Sequence, residues 1–114
     1  HQVMTTIRYS LVITAISTIL VAPVVEEFHF RVVLQGWLQR AWPLKRGSTW
    51  VPVVCSSGLF AALHVGQGAA PYALFAFALG LGFLYRQTGS VVPAVLVHGL
   101  LNLWSFTALV YSLD

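Results

Sequence analysis

The sequence predicts an all-α fold, a polytopic transmembrane bundle of about five helices formed by residues 1–114 as one unit. Hydrophobic residues make up 58% of the chain, charged residues 8%, and the mean hydropathy is +0.82. Soluble domains carry about 45 to 50% apolar and about 25% charged residues. A water-soluble globule and a disordered chain are both excluded, because this much apolar surface must be buried. The lipid bilayer is the expected environment.

The first third of the chain predicts two short helices, over residues 9–22 and 24–42. A single helix over residues 9–42 would be about 51 Å long, well beyond a hydrocarbon core of about 30 Å. Pro23 supplies a candidate break, so we expect a hairpin here. A loop at residues 43–48 follows.

Three further helices are predicted over residues 50–65, 71–85 and 91–111. Gly66, Gln67 and Gly68 separate the first two of these helices, and residues 86–90, which end in Gly-Ser, separate the last two. The helices therefore follow one another through short, polar connections.

The charges predict a topology and argue against a nucleic-acid partner. The hairpin would bring five of the six basic residues to one side of the membrane, predicted to be cytoplasmic by the positive-inside rule. Scattered basic residues form no contiguous basic face for nucleic acid. The basic residues of this side are Arg8, Arg40, Lys45, Arg46 and Arg86.

Two of the three acidic residues are adjacent, at Glu26 and Glu27, inside an apolar helix. A charge at the bilayer centre costs roughly 2.5 to 3.5 kcal/mol, so these side chains need partners. Glu27 and Arg31 are four residues apart on one helical face, which predicts a structural ion pair. Glu26 has no such partner at this spacing, so it is the candidate catalytic carboxylate.

Two later helices contribute further polar side chains. His64 is predicted at the end of one helix, and His98 and Asn102 lie four apart on the last one. A carboxylate with two neutral imidazoles can position a water or bind zinc with an open fourth position. The candidate metal ligands are Glu26, His64 and His98, and zinc is the candidate cofactor.

These motifs in order, Glu26-Glu27-x-x-x-Arg31, Phe60-x-x-x-His64 and His98-x-x-x-Asn102, resemble those of the CPBP family of intramembrane proteases. This family includes the type II CAAX prenyl endopeptidases and the bacterial Abi proteins. The resemblance covers roughly residues 20–104. It implies that the chain is the catalytic core of a longer membrane protein, because relatives have additional helices ahead of the glutamates. His29, at a position usually apolar in the family, is interpreted as a bystander.

The resemblance implies a membrane-embedded endopeptidase that acts on peptides or prenylated proteins near their C-a-a-X ends. Glu26 would be the general base, His64 and His98 would orient the water or bind a metal, and Asn102 would donate to the oxyanion. Both a metal-dependent and a glutamate-only mechanism stay open.

The alternative is a membrane protein without protease activity. Such a protein would be a scaffold or bacteriocin-immunity component, or a cation carrier that uses the same buried polar set. The complete polar set favours the enzyme, because a scaffold has no need of buried polar groups.

Overall fold

The computed structural model describes residues 1–41 and 50–113, and these residues are all-helical. They form four helices: α1, Gln2–Ala41; α2, Val51–Ala62; α3, Ala70–Thr88; and α4, Val92–Tyr111. The all-α prediction is confirmed. The count of five is wrong, because the two predicted N-terminal helices are one continuous helix. The predicted loop at residues 43–48 lies outside the described residues.

Pro23 lies inside α1 and does not break it. A proline removes one backbone N–H, and its ring clashes with the preceding turn unless the helix kinks or widens. Here Ser17–Val21 form a π-helical turn, in which the N–H of Ala22 donates to the carbonyl of Ser17. A second π-helical stretch covers Phe28–Gln35. The widened backbone accommodates the proline, so the predicted hairpin is absent.

The continuous helix changes the predicted distribution of charge. Arg8 and Arg40 lie about 48 Å apart along α1 at 1.5 Å per residue, so the hairpin that would bring them to one side of the membrane is absent. The side on which each basic residue lies stays a prediction. At the Arg40 end, the guanidinium of Arg86 lies 5.3 Å from the ring centroid of Trp50. Trp50 also stacks on Phe83. The start of α2 and the end of α3 therefore lie together.

The later helices pack on the C-terminal part of α1, and its segment Gln2–Ile16 has no buried residue. A turn containing Gly66 and Gly68, at φ of +98° and +61°, joins α2 to α3. Both backbone conformations favour glycine. The apolar core comprises Val53, Phe60, Ala61, Ala78, Leu81 and Ala94.

Two of the described helices, α1 and α4, are long and apolar enough to cross a membrane. The helix α2 is apolar but shorter, at 12 residues. The 20 residues of α4 match the length that one crossing of the hydrocarbon core requires.

Candidate active site

Glu27 lies at the centre of a buried polar cluster between α1 and α4. Its side chain is 0% exposed, and Oε2 lies 2.9 Å from Nε of Arg31, one helical turn away. Oε1 accepts a hydrogen bond of 2.8 Å from Nδ1 of His98. Glu27 therefore contacts both the basic residue that its spacing predicts and a histidine that is distant in sequence.

His98 lies between the two glutamates. Its Nδ1 faces Glu27, and its Nε2 lies 3.4 Å from Oε2 of Glu26. A carboxylate beside an arginine accepts hydrogen bonds and donates none, so Nδ1 of His98 carries the proton toward Glu27. In the neutral imidazole, Nε2 then presents a lone pair toward Glu26.

The two adjacent glutamates differ in their access to solvent. The Glu26 side chain is 38% exposed, whereas the Glu27 side chain is fully buried. Successive residues on a helix point about 100° apart, which places one carboxylate in the core and the other at its edge. Glu26 is thus the more exposed of the two carboxylates.

Arg31 is fully buried, and its pairing is incomplete. Its Nε forms an ion pair with Glu27, but the two atoms are not aligned as a hydrogen bond. Nη1 and Nη2 have no hydrogen-bond partner in the described part of the chain. The charge of Arg31 is balanced mainly by Glu27, because that carboxylate is its one ion-pair partner among residues 1–41 and 50–113.

His64 lies just beyond the end of α2, where the chain turns toward α3. Its Nδ1 donates a hydrogen bond of 3.0 Å to the carbonyl of Phe60, so Nε2 is unprotonated in the neutral ring. The Phe60 ring contacts His64 and also meets His98 edge to face, with centroid distances of 5.2 and 5.9 Å. Both histidines therefore border the same aromatic ring.

The sequence predicts Glu26, His64 and His98 as the candidate zinc ligands. A catalytic zinc takes three protein ligands around one centre. In the described residues, no group of three His, Cys, Asp or Glu side chains is arranged to hold a metal ion. Both nitrogens of His98 face carboxylates. Zinc binding by these residues stays a prediction.

Asn102 lies one turn beyond His98 and is half-buried against α1. Its Nδ2 donates a hydrogen bond of 2.8 Å to the backbone carbonyl of Thr18. Thr18 belongs to the π-helical turn that precedes Pro23. This contact uses one of the two amide hydrogens of Asn102.

His29, expected to be a bystander, is exposed on α1. Its Nδ1 donates a hydrogen bond of 2.7 Å to the carbonyl of Val25, and its ring packs edge to face on Phe28. Neither contact reaches the cluster of Glu27 and His98.

A second buried polar group was not anticipated from the sequence. Gln35 is fully buried, donates to the carbonyl of Gly82 at 2.9 Å, and accepts from the Ser56 hydroxyl at 3.2 Å. It lies four residues after Arg31, on the same face of α1. That spacing, which continues Glu27 and Arg31, is the signal that could have identified Gln35.

Comparison with known proteins gives one result that covers most of the chain. The sequence model of the type II CAAX prenyl endopeptidase Rce1-like family matches residues 8–104. No curated protein and no solved structure shows a significant match. The matched segment contains both glutamates, Arg31, both histidines and Asn102. The chain therefore belongs to the Rce1-like family of type II CAAX prenyl endopeptidases, a family of membrane-integral proteases.

Proposed function

We propose that this protein is an intramembrane endopeptidase in which Glu26 activates a water for attack on a peptide bond. The observation that carries the proposal is the position of Glu26, accessible and 3.4 Å from Nε2 of His98. A general base must reach both the water and the solvent that supplies it. Glu27 meets neither condition, because it is buried and engaged by two partners.

The catalytic cycle follows from this arrangement. Glu26 takes a proton from the water as its oxygen bonds to the scissile carbonyl carbon. Nε2 of His98 accepts a hydrogen bond from the same water and holds it in place. The protonated Glu26 then gives its proton to the amide nitrogen of the leaving peptide as the C–N bond breaks.

Asn102 and His64 would act on the other groups of the reaction. The free amide hydrogen of Asn102 donates to the oxyanion of the tetrahedral intermediate, an interaction whose loss typically lowers the rate by about 10² to 10³-fold. The unprotonated Nε2 of His64, whose ring contacts Phe60 as that of His98 does, is a second acceptor for water. The proposed catalytic residues are Glu26, His64, His98 and Asn102, with Glu27 and Arg31 in support.

The proposed substrates are prenylated proteins or peptides that end in C-a-a-X. Membership of the type II CAAX prenyl endopeptidase family supports this class. A membrane-embedded site also suits a substrate whose lipid partitions into the bilayer, because each buried CH₂ contributes about 0.8 kcal/mol.

The test compares the full-length protein with Glu26→Gln, using farnesylated and unprenylated C-a-a-X peptides with and without chelator. Glutamine keeps the shape of glutamate but cannot accept the proton, so we expect turnover to fall by about 10² to 10⁴-fold with the fold retained. His29→Gln is the matched control on the same helix and should cleave normally. Near-normal turnover by Glu26→Gln would refute the base assignment, and ion flux across liposomes without cleavage would favour a carrier.

A further inference from the structure

We propose that Pro23 is a positioning residue for Asn102, acting through the backbone carbonyl of Thr18. This proposal rests on the proposed function, because it gives Asn102 the oxyanion contact. It joins two sequence features, a proline inside α1 and an asparagine inside α4. The hydrogen bond from Asn102 to the Thr18 carbonyl connects them, because Pro23 cannot donate to that carbonyl.

The register of the π-helical turn identifies the carbonyl that Pro23 leaves without a partner. The N–H of Ala22 donates to the carbonyl of Ser17, five residues earlier. The next donor in this register would be residue 23, and its acceptor would be the carbonyl of Thr18. Proline has no N–H, so this helical hydrogen bond cannot form.

Asn102 supplies the missing donor from another helix. Its Nδ2 lies 2.8 Å from the Thr18 oxygen and is half-buried. A buried carbonyl without a donor is costly, so Thr18 and Asn102 stabilise each other's orientation. The amide plane of Asn102 is thereby fixed, on the same face of α4 as His98.

The helix α4 also lies close to the backbone carbonyl of Ile19, the residue after Thr18. This close packing of α4 on α1 makes the hydrogen bond between Asn102 and Thr18 possible. A Cβ on Gly99 would lie 3.0 Å from the backbone oxygen of Ile19. Gly99 and Asn102 are three residues apart and share a helical face, so the same helix surface meets Ile19 and Thr18. Without a side chain at Gly99, α4 lies close enough to α1 for Asn102 to reach Thr18.

The first experiment measures stability in a double-mutant cycle with Pro23→Ala and Asn102→Ala. Alanine restores an N–H that competes for the Thr18 oxygen, so Asn102→Ala should lower the detergent Tm less in the Pro23→Ala background than in the wild type. Equal shifts in both backgrounds would overturn the proposed coupling. This readout does not depend on activity, so it separates the contact from the proposed function.

The second experiment measures cleavage of a farnesylated C-a-a-X peptide by the same full-length variants. We expect Pro23→Ala to lower kcat by about 10-fold with KM little changed, because the oxyanion contact acts in the transition state. The double variant should be no slower than Asn102→Ala alone. Pro93→Ala, at the first turn of α4 where an N–H has no helical partner, is the control and should be unaffected.

The outcomes separate the two proposals. Normal kcat for Pro23→Ala with a slow Asn102→Ala would overturn the positioning role and leave the oxyanion role of Asn102 intact. Normal kcat for Asn102→Ala would overturn both the positioning role of Pro23 and the oxyanion role of Asn102.

Discussion

At the scale of single residues, Glu27 is the side chain on which the other buried polar groups depend. It balances the charge of Arg31 and accepts a hydrogen bond from Nδ1 of His98. The spacing of Glu27 and Arg31 suggests a purely structural pair. The contact with His98 adds a second role, because a histidine whose Nδ1–H is held by a carboxylate presents a defined tautomer.

These two roles separate in a set of leucine variants. Glu27→Leu and Arg31→Leu should each lower the free energy of unfolding by about 3 to 5 kcal/mol, since each leaves one buried group without its counter-charge. The double variant should recover most of that stability, because two apolar side chains replace the pair. Turnover should not recover, since His98 still lacks its carboxylate.

The measurements are detergent denaturation and peptide cleavage on all three proteins. Glu26→Leu is the stability control, because Glu26 is partly exposed and has no arginine partner among the described residues. A double variant that is both stable and fully active would show that Glu27 serves Arg31 alone.

At the scale of the helices, the junction of α1, α2 and α3 depends on one glycine. A Cβ on Gly82 would lie 2.9 Å from Oε1 of Gln35 and 2.9 Å from Cγ1 of Val53. Real Cβ atoms do not approach side chains this closely, and Val53 is itself fully buried. The absent side chain lets Gln35 donate to the Gly82 carbonyl.

Gly82→Ala should therefore lower the free energy of unfolding by about 1 to 3 kcal/mol, the usual range for overpacking. Gly80→Ala is the matched control, because it lies on the same helix, is exposed, and its Cβ would have no neighbour within 4 Å. That change should be neutral or stabilising by up to about 1 kcal/mol through helix propensity. Equal effects of the two substitutions, measured by chemical denaturation, would contradict the packing argument.

At the scale of the whole molecule, the order of helices predicts which ends share a side of the membrane. Trp50 and Arg86 meet, so α2 begins where α3 ends. Gln67, in the turn between α2 and α3, lies at the other end of α3, about 28 Å away for 19 residues. Arg40 and Arg86 are basic, so the positive-inside rule predicts that the end of the bundle that carries them faces the cytoplasm.

Single-cysteine labelling in a Cys55→Ser background checks this topology. We expect Ala41→Cys and Gln87→Cys to react with an impermeant maleimide only from the cytoplasmic side, because both positions lie at the end of the bundle that carries Arg40 and Arg86. Gln67→Cys should react only from the opposite side. Reaction of the first two positions from different sides would contradict the predicted topology.

Several features of this protein were predictable from the sequence because they depend on local physics. Apolar composition determined an all-helical membrane protein, and Gly66 and Gly68 marked the turn between helices. The four-residue spacings brought Glu27 to Arg31 on one helical face and placed His98 and Asn102 together on another. Spacing within a helix is nearly independent of the rest of the chain, so such predictions need no tertiary information.

The tertiary structure decided the features that depend on contacts between helices. Pro23 did not end its helix, because a π-helical turn absorbs it and Asn102 of α4 supplies the donor to Thr18. The contact of His98 with Glu27 spans 71 positions, beyond the reach of any local pattern. Buried polar groups pair wherever packing brings a donor to an acceptor. A sequence lists the groups that need partners, and packing selects the partners.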